Sequence, residues 1–274
     1  MDMIDIHCHI LPGVDDGAAD LSTALAMARM AVEDGVRTIV CTPHIMPGVY
    51  DNRPADIRAA VKRFAEACGE AGLSLQLLAG SDAHIRPDFV AALNTDRVQT
   101  IGGGRYVLFE PPHTVAPPRL EESLFDISVS GWVPILTHPE RFAWMEERYD
   151  ILPGLVEAGV LMQVTAGSLV GVFGEGPRRL AERMLEDGLV HVVASDGHNT
   201  RRRNPRLAAA YERCRELMGD EEARHLVATR PAVVVADEPV AAMPPLPPRR
   251  RPSKRRGGGD GLIRRLKVLF GARR

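Results

Sequence analysis

The 274-residue sequence predicts an α/β protein, a distorted (β/α)7 TIM-like barrel followed by a basic C-terminal tail. Three observations carry that expectation. Seven short runs, most of them near-continuously apolar and β-branched, recur through the first 240 residues, as strands covered on both faces do. Amphipathic helical stretches lie between them, the alternation of a parallel sheet. Metal-ligand residue types stand at the C-terminal ends of six of the seven runs, which is where a parallel barrel gathers its functional groups.

Taken in order, the first run is MIDIHCH (3–9), which leads into the loop ILPGVDDG. A helix over 22–34 follows, with Leu25, Ala28 and Val32 inward and a stop at Gly35. After the second run, VRTIVCT (36–42), a helix over 54–71 opens at Pro54. It presents Ile57, Val61, Phe64 and Cys68 on one face and ends before Gly72. The third run is LSLQLLAG (73–80), and the triplet Gly102–Gly104 reads as a turn before the fourth, RYVLFE (105–110). GWVPILTH (131–138) and VLMQVTAG (160–167) are the fifth and sixth. A helix over 177–187 opens at Pro177 and stops at Gly188, ahead of the seventh run, LVHVVASD (189–196). The last helix, 205–218, opens at Asn204-Pro205 and stops at Gly219. Proline at a helix start and glycine just past its end is the expected asymmetry. An open doubly wound sheet would carry a glycine-rich phosphate loop after its first strand; here that loop is acidic, which favours the barrel.

The chain divides by composition. Residues 1–240 form the barrel domain, 241–261 a Pro-, Arg- and Gly-rich linker, extended or disordered, and 262–274 a short basic segment. That segment, LIRRLKVLFGARR, can place Leu262, Leu266, Leu269 and Phe270 on one side of a helix suited to peripheral contact with an anionic membrane or a partner; a solvated tail is the alternative. Charge follows the same division. Residues 241–274 hold eleven Lys or Arg against one acid, Asp260, a net of +10, which leaves 23 basic against 35 acidic groups, −12, in residues 1–240.

At 45% hydrophobic the chain can fill a sizeable core, and at 26% charged it is not a disordered polyelectrolyte. No run of 18 apolar residues and no leader pattern precede the first strand, so a cytoplasmic protein is expected. Cys8, Cys41, Cys68 and Cys214 are widely spaced and form no C-x-x-C pair, which reads as buried small hydrophobes rather than a disulfide framework. None has an arginine six residues later, so the phosphate loop of thiol-dependent phosphatases is absent, as is G-x-x-x-x-G-K-[ST]. No nucleic-acid partner is expected.

The candidate ligands are His7 and His9 on run one, His44 after run two, Asp82 after run three, Glu110 on run four, His138 on run five, and Asp196 with His198 at run seven. Asp15 and Asp16 follow the first run within ten residues of His7. Residues i and i+2 on a strand face one way, so His7 and His9 can share an ion while Cys8 points elsewhere; Asp196 and His198 repeat that spacing around Gly197. Imidazole with carboxylate and no thiolate favours Mn, Fe or Zn over Mg or Ca. So many ligands exceed the need of one ion, and clusters of two or three commonly serve phosphoryl chemistry.

The blocks DIHCHILPGVDDG, TPH, FE, THPERF, TAGSL and SDGHN resemble the PHP (polymerase and histidinol phosphatase) superfamily. More narrowly, from about residue 3 to 235, the chain resembles the metal-dependent protein-tyrosine phosphatases of bacterial capsule and exopolysaccharide loci, the CpsB/CapC type. That resemblance implies a manganese-type trinuclear cluster. His7, His9 and Asp196 would hold one ion, Glu110 and His138 a second, and Asp16, His44 and His198 a third, with Asp82 bridging the first two. Arg141 and Arg203 match arginines that grip the substrate phosphate, although Arg201 and Arg202 stand beside Arg203 in the same basic run. The implied substrate is the phosphotyrosine of a membrane tyrosine autokinase that controls polysaccharide synthesis. Asp82 departs from the pattern, which has glutamate there; His84 is a weaker substitute, because histidine cannot bridge two cations. Two alternatives follow: a small-molecule phosphoesterase such as a histidinol phosphatase, and a non-catalytic metal-binding scaffold in polysaccharide assembly.

Overall fold

The computed structural model describes residues 1–248. Its strands are β1 (Met3–Cys8), β2 (Val36–Cys41), β3 (His44–Ile45), β4 (Gln76–Ala79), β5 (Asp82–His84), β6 (Tyr106–Glu110), β7 (Val133–Thr137), β8 (Leu161–Thr165) and β9 (Val192–Ala194). All pair in parallel, in a three-stranded sheet of order β1-β2-β4 and a six-stranded sheet of order β3-β5-β6-β7-β8-β9. Seven of the nine strands match the expected runs, and β3 and β5 follow the second and third of these after a break in the ladder.

The break has a local cause. Pro43 has no N–H to give the ladder, so β2 stops at Cys41 and pairing resumes at His44, which lies opposite Asp82. Single hydrogen bonds carry the register across, from Gly80 N–H to the Cys41 carbonyl (2.9 Å) and from Asp82 N–H to the Pro43 carbonyl (3.2 Å). Gly80 is required there, since a Cβ would lie 2.6 Å from Val40 Cγ1. Residues 73–75, expected in the third strand, precede β4 and lie outside it. At the other end, Cys8 forms an isolated parallel bridge with Gly197, supported by His9 N–H to the Gly197 carbonyl and Asp196 N–H to the His7 carbonyl, both 2.8 Å.

The helices are α1 (Leu21–Glu33), α2 (Pro54–Glu70), α3 (Phe89–Asn94), α4 (Leu120–Val129), α5 (Ile151–Glu157), α6 (Ala166–Leu169), α7 (Glu175–Glu186), α8 (Ala208–Met218), α9 (Asp220–Arg224) and α10 (Arg230–Val235). Asp20 caps α1 by accepting from Thr23 N–H at 2.7 Å. The buried face of α1 is Ala24, Met27, Ala28 and Ala31; Leu25 and Val32 flank it half-buried, a correction to the expected face. On α2 the expected Ile57, Val61, Phe64 and Cys68 are all buried. α7 begins two residues before Pro177, and α8 three residues after Pro205. The second shift is tertiary: Asp34 Oδ2, far away in sequence, accepts from the N–H groups of Leu207 (2.7 Å) and Ala208 (2.8 Å) and sets where α8 starts.

Strand residues sort alternately into two cores. Val107, Phe109, Leu136, Met162, Val164 and Val193 face the helices in the larger one. Ile6, Val40, Leu108, Ile135, Leu161 and Val192 meet in a smaller one on the opposite face of the strands. The four cysteines are free and buried, as expected. Beyond α10 the chain stays attached to the body as far as Pro245. Fully buried Arg230 pairs with Glu222 (2.7 and 2.9 Å) and donates to the carbonyls of Pro244 (3.0 Å) and Pro245 (2.9 Å). The basic segment 262–274 and most of the expected linker lie outside the described residues. No helix among the described residues is long and apolar enough to cross a membrane.

Candidate functional site

The C-terminal ends of β1, β2, β4, β6, β7 and β9, with the segments that follow them, bring every predicted ligand into one connected cluster. β1 supplies His7, and His9 follows it. Their Nε2 atoms stand 3.1 Å apart, each 3.5 Å from Asp196 Oδ1. Asp82, on β5, points Oδ2 to within 3.4 Å of His7 Nε2, 3.7 Å of His44 Nδ1 and 3.8 Å of His138 Nε2. The shorter aspartate therefore reaches the middle of the cluster. Glu110, at the end of β6, lies 3.3 Å from His44 and 3.6 Å from His138. Asp16 Oδ1 is 3.5 Å from both His44 Nε2 and His198 Nε2. His84 faces Glu110 at 3.7 Å and makes no approach to the other carboxylates that would mark it as a replacement for Asp82.

Which ring nitrogen faces inward is fixed from behind. His7 Nδ1 lies 2.8 Å from Gln163 Oε1, His9 Nδ1 2.7 Å from Asp15 Oδ2, and His198 Nδ1 2.9 Å from the Asp196 carbonyl. Each acceptor suits an Nδ1–H donor, and Nε2 is the nitrogen that faces the cluster. Asp5, buried beneath, accepts from Ser195 N–H (2.9 Å), Ser195 Oγ (2.5 Å) and His7 N–H (3.2 Å) and ties β1 to the chain after β9; burial pushes its carboxyl up to about 6.

Two residues of the cluster sit on unusual backbone. His138 (φ 35°) and Asp196 (φ 51°) occupy the left-handed region, two of only four non-glycine residues to do so among the described ones. Such conformations cost about 1–2 kcal/mol each and persist where the surroundings hold them.

Burial works against ionisation of Asp82, Glu110 and Asp196, yet neighbouring imidazoles, joined at Asp196 by Arg203 and Arg141, hold all three below the ordinary carboxylate range. The His198 imidazole, 3.5 Å away, does the same for Asp16. Burial depresses His9 and His138 to about 4, helped by His198 and Arg141 respectively. It is outweighed at His7 by Asp82 and Asp196, which raise that imidazole to about 9.

The cluster fits divalent cations by its orphaned atoms. His44 Nδ1, both Asp82 oxygens, His138 Nδ1 and His198 Nε2 are buried without a hydrogen-bond partner. Buried polar atoms are normally satisfied; of these, His44 Nδ1, the Asp82 carboxylate and His198 Nε2 face other ligand-type groups, and His138 turns its Nε2 to Asp82 and Glu110. Four overlapping groups have ligand atoms within 4.8 Å of one another: His9, Asp16, His44 and His198; His7, His9 and Asp82; Glu110, His113 and His138; and His44, Asp82 and Glu110.

Both predicted arginines reach the cluster. Arg141 Nη1 and Arg203 Nη2 (2.9 Å) donate to Asp196 Oδ2, the oxygen turned away from the histidines. Arg202 instead donates to the Val172 carbonyl and Arg201 is exposed, which separates Arg203 from its neighbours.

Sequence reasoning missed three residues. His113 Nε2 stands 3.3 Å from Glu110 Oε1, and its place three residues beyond Glu110 in FEPPH was the available signal. Gln163 was signalled as a polar interruption in an otherwise apolar strand. Asp15 was noticed in the opening loop but given no role.

Comparison with known proteins agrees with this geometry. Residues 3–236 match the family model described as capsular polysaccharide synthesis, CpsB/CapC. The tyrosine-protein phosphatase YwqE of Bacillus subtilis is 39% identical over 202 residues, 74% of this chain and 80% of that protein. The tyrosine-protein phosphatase CpsB of Streptococcus pneumoniae is 29% identical over 241 residues, 86% of this chain and 99% of that one. A crystal structure from work on YwqE and CpsB, described there as metal-dependent tyrosine phosphatases, superposes with a TM-score of 0.84 at 35% identity, covering 90% of this chain and 100% of the other. A phosphotriesterase homology protein from Escherichia coli, 10% identical with a TM-score of 0.56 over 85% of this chain and 98% of its own, shares the fold alone.

Proposed function

The chain belongs to the CpsB/CapC family of capsular polysaccharide synthesis, and from that premise we propose that it is a metal-dependent protein-tyrosine phosphatase. The observation that carries this reading is the convergence of unpartnered buried imidazole and carboxylate atoms beneath two guanidinium groups. The fold reading that accompanies it is a distorted seven-unit barrel, supported by the Cys8–Gly197 bridge and the small core lined by both sheets.

The residues suited to hold the ions are His7, His9 and Asp196 for one, Glu110 and His138 with His113 for a second, and Asp16, His44 and His198 for a third, with Asp82 shared at the centre. Manganese is the proposed metal, with iron or zinc the other ions this donor set takes. When bound, such ions supply Lewis acidity, neutralising phosphoryl oxygens and making water a stronger acid. The chain's own groups do the rest. Asp15, Gln163 and the Asp196 carbonyl keep three imidazoles in the ligating tautomer. Arg141 and Arg203, planar and always charged, can each offer two N–H groups to phosphoryl oxygens as charge spreads in a loose transition state. No cysteine takes part: burial pushes Cys8 and Cys41 well above the ordinary thiol range, Cys68 to about 11 and Cys214 to about 12. The leaving phenolate, of pKa about 10, is a better leaving group than an alkoxide.

The partner we propose is the phosphotyrosine of a membrane tyrosine autokinase in polysaccharide synthesis, met beside an anionic surface that suits the basic tail. Turnover of a phosphotyrosine peptide and of histidinol phosphate, before and after chelation, tests both parts. The expected result is peptide hydrolysis that exceeds histidinol phosphate hydrolysis, is lost on chelation and returns with manganese. Removing residues 249–274 should leave that rate unchanged and abolish sedimentation with anionic vesicles. Peptide hydrolysis that survives chelation, or a preference for histidinol phosphate, would refute the activity; vesicle binding without the tail would refute the membrane contact.

A further inference from the structure

The segment TAGSL holds no predicted ligand, yet it packs directly behind the turn that carries His138 and Arg141. Glu140, in that turn, is only 2% exposed. Its Oε1 accepts from Thr165 N–H (2.9 Å) and from Ser168 Oγ (2.7 Å), which locks the Pro139–Arg141 turn to the junction of β8 and α6. The loop after α6 folds back on it, with Val172 N–H donating to the Gly167 carbonyl at 2.8 Å. That brings the Phe173 ring against Gly167, where a Cβ would lie 2.9 Å from Phe173 Cε2. The ring in turn lies under Arg141, whose guanidinium carbon is 4.3 Å from its centroid.

Phe173 is half-buried and belongs to neither core, so its ring is not there to fill the interior. We propose that Phe173, seated by Thr165–Leu169, is a positioning residue for Arg141, setting the guanidinium plane so that its free edge meets the phosphoryl group of an aryl phosphate. This rests on the phosphatase reading above. A guanidinium stacked on an aromatic face keeps its N–H edge available while losing rotational freedom. Arg203 has no such platform among the described ring contacts and is the more exposed of the two, so the fixed half of the phosphate grip is Arg141.

The test uses the full-length, manganese-loaded protein with Phe173→Leu and Phe173→Tyr, each alone and combined with Arg141→Ala. Phe173→Leu should raise the peptide KM and the inhibition constant of inorganic phosphate about 5-fold each, with kcat within about 2-fold. Metal content should stay unchanged. Phe173→Tyr, which keeps the ring, should restore both constants, and Phe173→Leu should add nothing once Arg141 is alanine. Unchanged constants in Phe173→Leu, or an effect that persists undiminished without Arg141, would overturn the proposal. Calorimetric phosphate binding separates this from its premise. If the wild type hydrolyses no peptide, a roughly 5-fold weaker phosphate affinity in Phe173→Leu still supports the platform, and an equal affinity refutes it.

Discussion

His7, His9 and His198 each present Nε2 to the cluster because a different kind of acceptor holds Nδ1: an amide, a carboxylate and a backbone carbonyl. The i, i+2 spacing of the first two was legible in the sequence, since strand geometry alone puts them on one face. Their partners were not, because Gln163 lies 156 residues from His7 and only the pairing of distant strands brings it near. A histidine outside the site links folding to pH. His191 is 8% exposed and accepts from Met162 N–H at 3.1 Å; burial, then the nearby Arg230, depresses it to about 3. Its unfolded value is near 6.5, so the unfolded chain takes the proton first as pH falls. The associated stability is intact above pH 6.5 and drains away as pH drops toward 3. His191→Asn keeps an acceptor for Met162 and does not titrate. Between neutrality and about pH 5 the wild type should therefore lose about 2 kcal/mol more than the variant. Urea unfolding at several pH values measures this, and a difference between the two proteins that does not move with pH would contradict it.

Among the elements, the long helices and apolar strands were legible because one periodic face decides them; α2 shows its predicted face buried in full. The short strands β3 and β5 were not. Two or three residues carry no period, and they exist because Pro43 interrupts one ladder and His44 finds a partner at Asp82. The start of α8 was hidden for a similar reason, its cap coming from Asp34 on the far side of β2. The turn at Pro139–Arg141 shows what such a distant contact is worth. Glu140→Ala would leave two donors, Thr165 N–H and Ser168 O–H, without their acceptor, and should destabilise the fold by about 2–4 kcal/mol. Glu140→Gln retains an accepting oxygen at that position and should cost clearly less. Equal losses for the two variants in urea unfolding would mean that the carboxylate oxygen does not hold the turn.

On the scale of the whole molecule, the parallel arrangement turns scattered sequence positions into one site. His7, Asp82, Glu110, His138 and Asp196 span 190 residues, yet each lies at or just beyond the C-terminal end of a parallel strand: β1, β4, β6, β7 and β9. These ends were legible in the sequence because apolar runs stop where polar, ligand-type residues begin. The division of Asp196 between imidazoles on one oxygen and guanidiniums on the other could not be read from order alone. On the phosphatase reading, these ends together cage several divalent cations. Elemental analysis of the full-length protein after manganese saturation and desalting tests it most directly. The expected result is roughly two or three ions per folded chain and at least one fewer in His138→Ala with the fold retained; a folded wild-type protein that keeps less than about one ion per chain would refute the caged cluster.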